Sequence, residues 1–360
     1  MRNVKMTGAG VGEIARLVPS REALPPREQH EVRAENQPRA IPAPATWTKR
    51  PTLVSIVCPV FREEAGIARF TESLIDVMTR LGVPFEIILV EDDSPDGSWS
   101  MIQGLHEEHP TLIRALSLSR RFGHQASLAA GFDIATGDVV VCMDSDLQHP
   151  PELLPEMLWL WSRGYQLVYT KRKKQHGRGF LKEKASRLFY SLINRVSEIQ
   201  FEEGTADFRL MDRVVVDALN QFTEQWLLYR GLVQWSGFRR VAIDYEAPDR
   251  FAGVSSYTWR RMLRMGVDAV FAFSLMPLRL AHVVGGISLL ATSIYAAWSC
   301  VRWMQGQVDV PGYTSLVVLG SFVGSLHLIC LGIVGEYVGR IHEQVKRRPL
   351  YLVKDSMGVK

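Results

Sequence analysis

The sequence predicts a two-part chain: an α/β layer built on a mainly parallel sheet, followed by a C-terminal hairpin of two membrane-spanning helices. Three observations carry this. From Leu53 onward, short apolar runs alternate with stretches of helical period. Acidic and other polar residues cluster directly after those runs. Near the C-terminus, two segments of membrane-spanning length contain no Asp, Glu, Lys or Arg.

Residues 1–50 come first and read as a flexible tail, because Arg, Glu, Pro and Ala dominate and no periodicity survives. The first 25 residues carry charge throughout and hold no apolar core, so no secretory signal peptide is expected. The catalytic-type layer follows over 51–254. Its apolar runs are "LVSIVCPV", "FEIILV", "LIRALSLS", "DVVVCM" and "QLVYT"; between them Glu64–Leu81, Ser98–His109, Gln125–Ala135 and Pro151–Arg163 repeat near 3.6 residues. Strand–helix alternation of this kind makes parallel strands covered on both faces. Ligands of such sheets bind beyond the carboxyl ends of the strands. That is where "PVFREE", "EDDSPDGS" and "DSDLQ" fall.

Leu280–Val301 runs 22 residues without a charged side chain, about 33 Å of helix and enough to cross a bilayer. Tyr313–Gly335 matches it in character, and "RWMQGQVDVPG" joins the two into a hairpin spanning 280–338. Arg260, Arg261, Arg264 and Arg279 precede the hairpin and Lys346, Arg347 and Arg348 follow it, whereas the linker balances Arg302 with Asp309. The positive-inside rule then puts both ends, and the α/β layer, in the cytoplasm, with residues 339–360 as a cytoplasmic tail. Two further stretches, 171–196 and the juxtamembrane 255–279, mix arginine and lysine with Phe, Leu and Trp, as amphipathic helices at an anionic leaflet do.

Composition excludes some classes. A net charge of +4 with no helix-turn-helix, zinc-finger or RNP-like pattern gives no case for nucleic acid. Cys58, Cys142, Cys300 and Cys330 stand far apart in apolar runs, which argues for buried thiols rather than disulfides or a zinc site.

The chemistry concentrates in "DSDLQ". Asp144 and Asp146 at a strand end can offer carboxylate oxygens to a hard divalent ion, with Gln148 as a neutral oxygen donor, and Mg²⁺ or Mn²⁺ in such a site is completed by water and phosphate. Glu63 and Glu91–Asp93 are expected on the same sheet edge. Converging acidic loops need a metal, a ligand base or ribose, or a basic clamp; Arg172 and Arg250 are candidates for the clamp.

The ordered set "SIVCPVFREE", "EIILVEDDSPDGSW", "LSRRFGHQASLAAGFDIATGDVVVCMDSDLQHPPELLPEM", "ADFRLMDRVVVDAL", "YRGLVQWSGF", "RFAGVSSY" and "VGEYVGRIHEQVKRRPLY" resembles the polyisoprenyl-phosphate glycosyltransferases of the GT-A type, family 2, in their bacterial GtrB-like branch. The likeness covers about Leu53 to Val353. It implies inverting, metal-dependent transfer of a sugar from a nucleotide sugar, UDP-glucose first, to undecaprenyl phosphate at the cytoplasmic face of a bacterial inner membrane. Other UDP-hexoses, an aminopentose or GDP-mannose are alternative donors. By the same likeness Pro59, Phe61, Glu63, Val90 and Asp92 line the nucleotide, and Asp144, Ser145, Asp146 and Gln148 hold metal and diphosphate. Arg172 and Arg250 face phosphate, and Asp146 and Asp207 serve catalysis. Because the acceptor is a phosphate already ionised near neutrality, Asp207 has no obligatory proton to remove. A homo-oligomer, a flippase and a downstream transferase are the implied partners.

The chain departs from the pattern at Phe61 and Arg62, where tyrosine and asparagine are usual, at Glu91 in the usual aspartate pair, and at Ser256, where lysine is common. Two alternatives stay open: a processive polysaccharide synthase, whose "QxxRW" signature is missing, and a non-catalytic membrane scaffold, against which the intact Asp144, Asp146 and Gln148 argue.

Overall fold

A computed structural model of the chain describes residues 32–33, 47–173, 204–222, 224, 228–246, 274, 276–306 and 312–359. The α/β layer contains β1 (Val32–Arg33), β2 (Val54–Val60), α1 (Ile67–Leu81), β3 (Phe85–Glu91), α2 (Ser98–Glu108), β4 (Ile113–Leu118), α3 (His124–Ile134) and β5 (Val139–Cys142). A 3₁₀ turn at Pro151–Leu153 leads into α4 (Leu154–Ser162), and β6 (Leu167–Arg172), β7 (Thr205–Asp212), α5 (Arg213–Leu219), α6 (Tyr229–Trp235) and β8 (Arg240–Tyr245) complete it. Beyond lie the long helices α7 (Met276–Met304) and α8 (Tyr313–Val345), then β9 (Val353–Met357).

The strands form one sheet in the order β1-β8-β6-β7-β5-β2-β3-β4-β9. Its centre is parallel, with Ile56 opposite Ile87 on one side and Val141 on the other. Only β7 and β9 run against their neighbours. Strand alternation divides the core into two layers. Val54, Ile56 and Cys58 face α1 and α4 with Phe70, Leu74 and Trp161, while Val57, Ile88 and Val90 face α3 and α5 with Leu128, Phe132 and Val216.

The five apolar runs become β2 to β6 in order, and the four helical stretches become α1 to α4. Helix α1 shows why: Ile67, Phe70, Leu74, Val77 and Met78 are buried at helical spacing. It stops where Gly82 adopts φ 63 and donates its N–H to the Thr79 carbonyl.

Helices α7 and α8 contain stretches, Met276–Trp298 and Phe322–Val345, long and apolar enough to cross a membrane, at mean hydropathy 1.6 and 1.5. Their large apolar side chains, among them Leu289, Leu290, Phe322 and Leu331, are exposed in the chain by itself. The Tyr337 hydroxyl donates to the Ser274 carbonyl at 2.6 Å, which sets the start of α7 beside the late turns of α8. The amphipathic stretches expected within 174–203 and 255–273 lie outside the described residues.

Within the segment read as a C-terminal tail, 339–345 continue α8 and 353–357 form β9 on the β4 edge. That strand has mostly exposed side chains, so it is held by backbone bonds and leaves no apolar pattern to read. Likewise β1, in the segment read as a flexible tail, pairs with β8.

At the opposite end of the sheet from the acidic loops, the buried Glu86 carboxylate accepts from Ser55 Oγ at 2.5 Å, Arg114 Nη1 at 2.7 Å and both the amide and the hydroxyl of Thr136. The turn that brings Thr136 there is tight. A Cβ on Gly137 would stand 2.5 Å from the Leu53 carbonyl oxygen and 2.7 Å from the Ser55 amide. Gly137→Ala is therefore expected to destabilise the α/β layer by about 1–3 kcal/mol or more through overpacking against backbone, measured as a lowered thermal midpoint in detergent. Gly104→Ala, inside α2 with nothing within 4 Å of the added carbon, is the control and should be stabilising by up to about 1 kcal/mol.

Candidate active site

The carboxyl ends of β2, β3 and β5 open onto one edge, and three of the four non-glycine residues with positive φ among the described residues, Arg62 (61°), Asp93 (50°) and Leu147 (61°), sit there. Such backbone is costly for side chains with a Cβ and persists where surrounding bonds enforce it. After β5 those bonds are visible. The buried Ser145 hydroxyl donates to the Pro59 carbonyl at 2.9 Å, and the Asp144 amide donates to His149 Nδ1 at 2.8 Å. Since Nδ1 accepts, the neutral ring carries its proton on Nε2, 3.7 Å from Asp144 Oδ2. Burial pushes the His149 pKa down, against the pull of Asp144 and Asp146, and the ring stacks on Phe208 at 5.3 Å. Asp144 keeps a side chain 36% exposed. Asp146 Oδ1 accepts the Gln148 amide at 3.1 Å.

Gln148 has a partner that the sequence did not show. Its side-chain oxygen accepts from Arg172 Nη2 at 2.7 Å, which holds that guanidinium beside the Asp-Ser-Asp loop and leaves the oxygen a second lone pair. Arg172 thus reaches the site as expected, through Gln148. Arg250, together with Ser256, Arg260 and Arg261, lies outside the described residues.

The two earlier acidic loops are satisfied from within. Glu91 accepts from Ser117 Oγ at 2.7 Å and from the Ser94 amide. Asp92 accepts the amides of Phe122 at 2.7 Å and Gly123 at 2.8 Å; burial raises its pKa, and these amides and Arg121 oppose the rise. Asp96 gathers the hydroxyls of Ser94 and Ser98, both at 2.6 Å, and these with the Glu64 amide outweigh desolvation and lower its pKa. The sequence argument that these loops need a metal, a ligand or a basic clamp is therefore corrected for Glu91, Asp92 and Asp96, which neutral donors already balance; the Asp144 side chain stays 36% exposed beside Asp146.

Phe61 is half-buried and lies under Arg121, whose guanidinium carbon stands 3.9 Å from the ring centroid. Pro59 and Glu63 are also half-buried at this edge. Val90 is not a lining side chain. It is fully buried in the core layer beneath α3, because its position in β3 turns it to that face.

Asp207 is neither in a loop nor on a turn. It lies in β7, buried, where Arg230 grips it from α6 with Nε at 3.0 Å from each oxygen and Nη2 at 2.7 Å from Oδ2. Arg209, two residues along the same strand, also donates to Oδ1. His124 Nε2, at the start of α3, stands 3.6 Å from Asp207 Oδ2 and 3.7 Å from Asp144 Oδ1, linking the two clusters. Desolvation by itself raises the Asp207 pKa, but Arg230, His124 and Arg209 together hold it well below the usual carboxylate range. A carboxylate so held is a very weak base. Sequence reasoning assigned no role to His124, His149, Arg209 or Arg230. The one signal was that "GHQ" opens a helix at the sheet's carboxyl edge.

Among the described residues no group of three or more His, Cys, Asp or Glu side chains is arranged as a metal cage. Asp144 and Asp146 place two half-buried carboxylates on one loop.

A family model described as glycosyl transferase family 2 matches residues 55–219, which hold every described residue of this site except Arg230. With the mainly parallel sheet and its Asp-Ser-Asp edge, this defines a glycosyltransferase of the GT-A type. The chain is 38% identical, over 85% of its length and 96% of the relative's, to a glycosyltransferase of Synechocystis. It is 35% identical to an SfII prophage-derived bactoprenol glucosyl transferase of Shigella flexneri, over 84% of this chain and 98% of that one. A prophage bactoprenol glucosyl transferase homologue of Escherichia coli is 34% identical over the same shares. The chain belongs to glycosyltransferase family 2, in its GtrB-like polyisoprenyl-phosphate glycosyltransferase branch. Among solved structures, a mannosyltransferase from Pyrobaculum calidifontis in complex with GDP-Man and Mn²⁺ aligns over 81% of this chain and 88% of that one at 16% identity and a TM-score of 0.42.

The depressed Asp207 pKa makes a pH prediction. A carboxylate with a folded pKa below its unfolded value contributes stability above about pH 4 and loses it as pH falls through the folded pKa. Asp207→Asn should cost about 3–5 kcal/mol near neutrality, since it leaves the buried Arg209 and the partly exposed Arg230 without their anion. The deficit relative to the parent should shrink steadily below about pH 4, as followed by denaturant titration across pH.

Proposed function

We propose that the protein transfers a sugar from a nucleotide sugar, with UDP-glucose the leading donor, to undecaprenyl phosphate or a similar polyisoprenyl phosphate, with inversion at the anomeric carbon. The observation that carries this reading is the Asp144-Ser145-Asp146 loop. It is fixed by Ser145 and His149, open at Asp144, and has Arg172 on one side and the Asp207 arginine cluster on the other. Two membrane-length helices and relatives named bactoprenol glucosyl transferases support a lipid-linked acceptor at the cytoplasmic face of a bacterial inner membrane.

The donor set fits a hard divalent cation. Two carboxylates one residue apart, one of them a third exposed, suit Mg²⁺ or Mn²⁺, which take oxygen ligands and fill the remaining positions with water and phosphate. Asp144 and Asp146 would hold it, and its charge would offset that of the departing diphosphate. The chain's own groups do the rest. Arg172, positioned by Gln148, faces the same diphosphate charge. Phe61 and Arg121 offer flat surfaces at the mouth of β2 and β4 for the base.

The acceptor phosphate is ionised near neutral pH. Its oxygen attacks the anomeric carbon opposite the diphosphate, the new carbon–oxygen bond forms as the bond to the diphosphate breaks, and the nucleoside diphosphate leaves. No proton has to be removed, in keeping with a carboxylate at Asp207 that two guanidiniums keep ionised. Asp207 serves as a positioning group.

Purified full-length protein, incubated with Mn²⁺, undecaprenyl phosphate and a panel of UDP-hexoses, a UDP-aminopentose and GDP-mannose, should form lipid-linked sugar from one donor, and chelation should stop it. Asp144→Asn should lower transfer by about 10²-fold or more without changing membrane insertion. Unaltered transfer would sink the metal assignment, and a wild-type protein inactive with every donor would favour the scaffold reading.

A further inference from the structure

Both ring nitrogens of His149 face Asp144. Nδ1 accepts the Asp144 amide at 2.8 Å, and Nε2 stands 3.7 Å from Asp144 Oδ2. With the residue only 3% exposed, neither nitrogen is open to an ion, so His149 is not a metal ligand. The sheet braces the ring instead. It stacks on Phe208 of β7, with centroids 5.3 Å and planes 21° apart, and meets the Tyr245 ring of β8 edge-on at 6.3 Å. Phe208 and Tyr245 are themselves buried.

The chain has to double back to bring residue 149 to residue 144. Leu147 makes that return with φ 61, a conformation that a side chain with a Cβ adopts where its surroundings enforce it. On one side of Leu147 the Gln148 amide donates to Asp146 Oδ1, and the Gln148 side chain is tied to Arg172 of β6. Strands β6, β7 and β8 thus all hold the turn that delivers the imidazole to the Asp144 amide.

We propose that His149 is a positioning residue for the divalent cation: by accepting the Asp144 amide it fixes the backbone from which that carboxylate projects, and so sets how tightly the ion binds. The inference rests on the reading of Asp144 and Asp146 as the ion's ligands and adds the group that aims one of them. The aim has to come through the backbone. The nearest imidazole nitrogens, His124 Nε2 at Oδ1 and His149 Nε2 at Oδ2, both stand 3.7 Å from the carboxylate, beyond hydrogen-bond distance. The bond from the amide to Nδ1 fixes the plane of the Met143–Asp144 peptide, and groups that orient a ligand from behind govern metal affinity in this way.

The test titrates Mn²⁺ into full-length protein in detergent micelles, with the nucleoside diphosphate of the active donor present, and follows free Mn²⁺ by electron paramagnetic resonance. His149→Phe keeps the stack on Phe208 but loses the acceptor, and should weaken Mn²⁺ binding about tenfold or more. His149→Asn puts a carbonyl oxygen where Nδ1 stands and should bind Mn²⁺ within about threefold of the parent. His149→Gln carries the same amide one carbon further out, past the Asp144 N–H, and should bind as weakly as His149→Phe. Asparagine and glutamine differ little in polarity, so a purely structural role for the ring would not separate them; thermal midpoints confirm that both variants are folded. Parent-like affinity in His149→Phe, or equal affinity in the asparagine and glutamine variants, overturns the assignment. A parent protein that binds no Mn²⁺, or an Asp144→Asn variant that binds it unchanged, defeats the metal reading instead, so the two failures are told apart.

Discussion

The Asp207 ion cluster is the constraint on which the site depends. One buried carboxylate in β7 joins a strand neighbour, Arg209, to a helix residue from outside the family-model segment, Arg230, and through His124 to the start of α3. Charges removed from water persist only when paired with good geometry. Arg230 meets that condition with a two-nitrogen grip on Asp207. The consequence is positional. Because β7 runs antiparallel between β5 and β6, its first residues lie at the carboxyl edge of its parallel neighbours. A residue two places into that strand therefore arrives beside the loop that follows β5.

The acidic loops obey a related logic. Four carboxylates at this edge, Glu64, Glu91, Asp92 and Asp96, are held by amides and hydroxyls of neighbouring loops. These bonds knit the β2 and β3 loops together and pin the approach to α3 through Asp92. Rigid loops are what a site needs to place a substrate, since each bond made in advance is ordering that binding need not supply. Asp144, by contrast, keeps a side chain 36% exposed beside Asp146. The contrast between satisfied and exposed carboxylates separates scaffold from site more sharply than the count of acids does.

Much of this was legible in the sequence. The apolar runs marked β2 to β6, and the place of Asp144 and Asp146 at the sheet's edge followed from their position after a buried strand. Val90 was misread for a physical reason: central parallel strands are apolar on both faces, so the sequence carries no sign of which parity faces the ligand. Strand β7 went unread because Asp207 and Arg209 alternate with Ala206, Phe208 and Leu210 as in a strand with one solvated face, and only the pairing of those two charges makes burial of that face tolerable. The bond from Arg172 to Gln148 joins residues 24 positions apart and could be found only in three dimensions.

The C-terminus shows how the membrane part and the catalytic part constrain each other. Helix α8 ends at Val345 and β9 begins at Val353, so the connecting residues 346–352 can reach at most about 25 Å. Their far end is anchored several times over. The Ser119 amide donates to the Leu352 carbonyl, the Tyr351 hydroxyl donates to Asp133 on α3 at 2.6 Å, and β9 pairs with β4 from Ala115 to Leu118. Ser119 directly precedes the Arg120–Gly123 loop that Asp92 holds, and α3 begins one residue later with His124. The short tether from α8 is thus fastened to the strand and helix that carry the site's own residues. A shift of the catalytic layer away from the end of α8 would have to break the β9 ladder or stretch a strap with little length to give.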